Sequence, residues 1–107
     1  MIRVLIQYPV EQGVAFDLAY YQGTHVALVR RVMTELGMIK GEWDEPVAHP
    51  ASGERRYHVI SVQYWETVEA MERAYASPTT HEVKEDVKKF YSGRPVCVIS
   101  NMHSYRS

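Results

Sequence analysis

The chain has a single cysteine, Cys97, among 107 residues, so no internal disulfide can brace it and its stability has to come from a buried apolar core. That thiol sits inside the apolar run Val96-Cys97-Val98-Ile99, which predicts a small buried hydrophobe rather than a nucleophile. A lone thiol is also what a reducing cytoplasm permits. An excess of one charge is missing: 12 basic and 13 acidic residues are scattered to a formal net of −1, leaving no footprint for a nucleic acid or an anionic lipid surface. No apolar run reaches membrane-spanning length. The opening Ile2-Arg3-Val4-Leu5-Ile6 is strand-like and lacks the h-region and cleavage site of a secretory leader. A Gly-rich phosphate loop and a GxSxG elbow are absent, and His25, His49, His58, His81 and His103 show no recurring ligand spacing. The expectation is a soluble cytoplasmic protein with no metal, no cofactor, and neither nucleic acid nor membrane as partner.

What is present fits one compact domain over residues 1–107, with 46% apolar content. Ile2 to Tyr8 reads as a strand ended by Pro9, and Asp17 is placed to cap a helix running to Leu36 and stopped by Gly37. Within that helix Leu18, Tyr21, His25, Leu28, Val32 and Leu36 recur at three- and four-residue steps and share a buried face. Met38 to Val47, interrupted by Gly41 and Pro46, reads as an edge strand, with a loop over 48–56. Tyr57 to Trp65 is the strongest strand, apolar or aromatic on both alternating sets, and is expected in a central position. Thr67 opens a second helix that Ser77-Pro78 breaks. Thr79 and Glu82 have capping-box spacing for a further helical stretch, which Gly93-Arg94-Pro95 ends before a last strand from Val96 to His103. The order contains a split βαβ, so the predicted class is α+β: a ferredoxin-like βαββαβ fold with an antiparallel sheet and its helices on one side.

Helices on one side leave the other sheet face bare, and here that face is apolar in either assignment of the third strand, which predicts a homodimer stacked sheet to sheet. His25 falls in the middle of the first helix's apolar stripe. It is either a core histidine bonded to a tyrosine or a carbonyl, or the centre of a pocket. With His58, Ile60, Val62 and Tyr64 taken as the helix-facing set, Tyr64 and Tyr8 would join Tyr21 around it. A histidine among tyrosines in a dry space suits proton transfer on a small hydrophobic molecule carrying an enol, phenol or carbonyl. The expected catalytic residues are therefore His25, Tyr21 and Tyr64, and the expected ligand-binding residues are Tyr8, Leu28 and Phe90.

Taken together, Ile2 through Pro9, Phe16-Asp17 with Tyr20-Tyr21 and His25 followed by Leu28-Val29, then Glu69 through Pro78, and Asp86-Val87 with Phe90-Tyr91, resemble the EthD family, named for ethyl tert-butyl ether degradation. The family pattern continues from its histidine as His-x-Pro-Leu, whereas this chain has His25-Val26-Ala27-Leu28, so a relaxed helix geometry is expected there. The resemblance implies a dimeric α/β barrel with a pocket between helices and sheet in each subunit. Related barrels include cofactor-free monooxygenases, lactone isomerases and polyketide cyclases. The functions this leaves open are acid/base catalysis on a small apolar oxygenated substrate, and non-catalytic ligand binding in support of a partner oxygenase.

Overall fold

A computed structural model describes all 107 residues. In strand β1 (Ile2–Pro9), Ile2, Val4 and Tyr8 are buried and Ile6 is half-buried, while Arg3, Leu5 and Gln7 turn the other way, as period-two alternation requires. β1 pairs antiparallel with both β3 (Tyr57–Trp65) and β4 (Val96–Asn101), and β2 (Lys40–Asp44) pairs with β3. The resulting order β2-β3-β1-β4 is the ferredoxin-like one, with the helical connections crossing between non-adjacent strands on a single face. Val32 and Met33 from the first connection and Met71 and Ala74 from the second meet Ile2, Val4 and Trp65 in one core cluster. No helix is long and apolar enough to cross a membrane.

Local chemistry sets the helix ends. Asp17 is extended and its carboxylate accepts from the Tyr20 N–H at 3.0 Å, starting α1 (Leu18–Tyr20), a π-helical turn (Tyr21–His25) and α2 (Val26–Glu35) as one continuous rod. The wide turn ends at His25, two residues before Ala27, which itself lies in regular α-helix. At the other end Gly37 takes φ +114°, the Gly37 N–H donates to the Thr34 carbonyl, and the Met38 N–H donates to the Met33 carbonyl. This is a Schellman ending, in which only glycine takes the positive φ without strain, and it folds Met38 back onto Met33 in the core. Thr67 caps α3 (Val68–Ala76) through the Ala70 N–H, and Ser77 breaks it by turning extended before Pro78. The capping box at Thr79 does not form. Thr79 is already helical ahead of α4 (Thr80–Asp86), whereas a capping side chain needs extended backbone to reach forward.

The facing of β3 differs from expectation. Its partners across β1 are Ile2↔Trp65, Val4↔Gln63 and Ile6↔Ser61, and opposed residues share a face, so Ser61, Gln63 and Trp65 point at the helices. Ile60, Val62 and Tyr64 point away. His58 alone of the expected set turns to the helix side: the register slips between Gln7 and Pro9, two β3 residues stand opposite Tyr8, and the His58 ring lies stacked on Phe16 at 5.0 Å.

β4 is not the buried strand its composition predicts. Val96, Val98 and Ile99 are 46%, 42% and 54% exposed and Cys97 is exposed too, because β4 is an edge strand that pairs only with β1.

Candidate functional site

The capped, then widened, first helix carries Tyr20, Tyr21 and His25 to the end of the sheet, where the chain returns through α4 and a short 3-10 turn (Val87–Lys89). Tyr21 and His25 point inward and are almost wholly buried. Asp86 and Phe90 lie four residues apart on the returning segment and so face the same neighbour. That neighbour is His25. The Asp86 carboxylate lies 2.9 Å from His25 Nδ1 and accepts from the Tyr20 hydroxyl at 2.7 Å, and the Phe90 ring sits 4.5 Å from the imidazole. Lys89 adds a cation 3.7 Å from the carboxylate.

The electrostatics follow from this packing. Burial pulls the His25 pKa below its ordinary value, and the Asp86 carboxylate only partly offsets that, so the imidazole is neutral at pH 7. Burial pushes the Asp86 carboxyl upward, but the bonds from His25 and Tyr20, with the charge of Lys89, outweigh it and hold the acid low. An ionised acceptor at Nδ1 fixes the proton there and leaves Nε2 as an unprotonated base without a protein partner. Burial raises the Tyr21 phenol, with the Ser61 hydroxyl acting in the opposite direction.

His25 and Tyr21 close one end of a cleft of about 550 Å³ between α2 and the strands β2 and β3. That volume suits a small molecule. Val29, Met38 and Trp43 provide apolar wall, Ser61 and Gln63 form a polar floor, and Arg30 stands at the side, engaged in no ion pair. Gly41 is the β2 residue opposite Gln63, so no side chain from that strand fills the space above the glutamine. No group of three or more His, Cys, Asp or Glu side chains is arranged to hold a metal ion.

Of the six residues expected at a site, the structure brings His25 and Tyr21 to the cleft. Phe90 and Tyr8 lie behind them: Phe90 packs on His25, and Tyr8 is edge-on to Tyr21 and Phe90 at 5.9 and 5.5 Å, neither lining the space. Leu28 packs against the aliphatic core instead. Tyr64 stands on the opposite sheet face, where its hydroxyl donates to Glu42 at 2.7 Å, because its register partners Arg3 and Lys40 fix that side. Asp86, Gln63, Ser61 and Trp43 went unpredicted. Asp86 had left a signal: it lies on the same helical stripe as Val83, Val87 and Phe90, an acid on an apolar face.

Residues 13–94 match the EthD domain. The chain belongs to the EthD family. The EthD match contains Tyr20, Tyr21, His25, Gln63, Asp86 and Phe90, and so spans the whole site. An EthD-like protein from Ralstonia eutropha has 24% identity and a TM-score of 0.85, covering 99% of this chain and 95% of that one. An EthD family protein from Bacillus halodurans has 19% identity and a TM-score of 0.78, covering 96% and 99%. A dimeric protein of unknown function with a ferredoxin-like fold, from Bacteroides fragilis, has 6% identity and a TM-score of 0.61, covering 94% and 95%. These likenesses establish the fold. No curated protein matches the chain significantly.

Proposed function

We propose that this EthD protein binds a small apolar oxygenated molecule in the cleft and moves a proton on it with His25, without a cofactor. The observation that carries this reading is the Asp86–His25 pair at the cleft end, which presents a neutral imidazole with Nε2 as its basic atom. Tyr21 orients the ligand beside it. An imidazole kept unprotonated by a water-poor surround can take a proton from carbon next to a carbonyl, or from an enol, and return it elsewhere, as isomerases and cyclases require. The test is hydrogen–deuterium exchange of the methylene of ethyl acetoacetate in heavy water, followed by proton NMR. Exchange above the buffer rate, abolished in His25→Gln, is the expected result. Binding without exchange would overturn the catalytic reading.

That second outcome has its own support, since Phe90 and Tyr21 pack around the imidazole and leave it only 3% exposed, a setting that also suits a hydrogen-bond acceptor in a ligand-binding accessory protein.

The active form in this reading is a cytoplasmic homodimer. Leu5, Ile60, Val96 and Val98 present apolar surface on the face away from the helices, and the exposed thiol of Cys97 fits a reducing compartment. Sedimentation equilibrium at the monomer mass would remove the dimer.

A further inference from the structure

The cleft floor holds a second polar group that the His25 chemistry does not use. Gln63 is 3% exposed, on the helix-facing side of the interior strand β3. Its carbonyl oxygen Oε1 accepts twice, from the Tyr75 hydroxyl at 2.7 Å and from Trp65 Nε1 at 3.3 Å. Two donors aimed at one end of a planar amide settle which end is oxygen. The NH₂ end is therefore fixed as well, and it makes no hydrogen bond within the protein although Gln63 lines the cleft. The NH₂ is not sealed in the core, since the one buried side-chain nitrogen or oxygen without a partner is His58 Nε2; it opens on the cleft, free to donate to an acceptor that enters. Gly41, opposite Gln63 in the β2 pairing, adds no side chain there, and the Met38 thioether lies against it, its Cε 3.5 Å from where a Cβ would stand, so the acceptor would meet Gln63 beside Met38.

We infer that Gln63 is a ligand-binding residue whose amide donates to an acceptor oxygen, which makes the ligand a carbonyl compound or its enolate. This deepens the proposed function and rests on it for the cleft. Gln63 offers only donors and neutral His25 Nε2 only an acceptor, so the two groups read complementary ends of an enolisable carbonyl compound: its oxygen at one and its acidic hydrogen at the other. Tyr75 and Trp65 then act as positioning residues, holding the amide in the donating orientation.

The substitution Gln63→Glu separates the two roles of this side chain. The new carboxylate still accepts from Tyr75 and Trp65, so the fold is kept, but it can no longer donate into the cleft. Ethyl acetoacetate and, as a comparator of similar size without oxygen, propylbenzene are titrated into parent and variant, with His25 ring resonances reporting binding. The expected result is at least a roughly tenfold loss of ethyl acetoacetate affinity at neutral pH, the effect of one hydrogen bond of about 1.4 kcal/mol. Propylbenzene affinity stays within about twofold. Lowering the pH until the new carboxyl, raised by burial, regains its proton restores the missing donor, and affinity recovers relative to the parent at the same pH. Gln63→Met, which cannot donate at any pH, shows the same loss without recovery. Unchanged ethyl acetoacetate affinity in Gln63→Glu, or an equal loss for propylbenzene, overturns the assignment. If the parent binds neither probe, the cleft reading falls and takes this one with it. If ethyl acetoacetate binds through Gln63 but does not exchange, only the role of His25 falls.

Discussion

The two ends of the helix–sheet interface are built from different materials. At one end Ile2, Val4, Val32, Met33, Met38, Trp65, Met71 and Ala74 pack into a cluster of aliphatic, methionine and tryptophan side chains. At the other, Tyr8, Tyr21, Val59, Phe90 and Tyr91 surround the only buried histidine and the only buried carboxylate of the chain. The first end draws strands and both helical connections together and stabilises by area removed from water. The second gives up some of that gain to hold polar groups whose geometry is fixed by directed bonds. Sites are expected where local stability has been compromised in this way.

The strongest way to break the contrast is to cut the aliphatic end. Trp65→Ala removes a side chain with no exposure and is expected to cost about 3–5 kcal/mol in denaturant titration, enough to unfold much of the population. An equal loss on removing Asp86 would erase the distinction between the ends. Asp86→Ala is expected to lose less, about 1–3 kcal/mol, the cost of leaving the buried His25 Nδ1–H unpaired. It should nevertheless abolish proton exchange, because the imidazole then loses the partner that fixes its tautomer.

A pH titration of stability sharpens the same point. The folded protein holds His25 below its ordinary value of 6.5, so over the window beneath that value the unfolded chain binds more protons than the folded one. Stability from this group is full above about pH 6.5 and drains as the pH falls through the lower folded value. Asp86, also held low, contributes above its unfolded value and is lost only in more acid solution as pH falls through its folded value. His25→Gln should flatten the first decline and leave a more acid one, which denaturant melts at stepped pH would reveal. The smallest effect belongs to Tyr64→Phe. Its hydroxyl meets only Glu42 on the far sheet face, so ethyl acetoacetate affinity should not change in an NMR titration.

Much of the aliphatic end was legible in the residues. Period-two alternation marked β1, three- and four-residue steps marked the helix faces, and Asp17, Gly37, Thr67 and Ser77-Pro78 marked the boundaries, because these signals act over a few neighbouring residues. The site was legible only in part. His25 and Tyr21 were found because they lie on one apolar stripe. Tyr64 was misplaced because a strand apolar on both sides does not announce which side faces the helices.

The amino-acid sequence by itself determined the elements, their order, the ferredoxin-like class, the EthD family and the inward face on which His25 lies. Only the tertiary structure decided the rest. Register with β1 turned Gln63 and Ser61 inward and Tyr64 outward, a slip opposite Tyr8 re-aimed His58, and the edge position left Cys97 exposed. The pairing of His25 with Asp86, 61 residues away, depends on how two helical segments dock on one sheet. Such contacts are set by three-dimensional packing, whereas periodicity and capping report only what neighbours along the chain do.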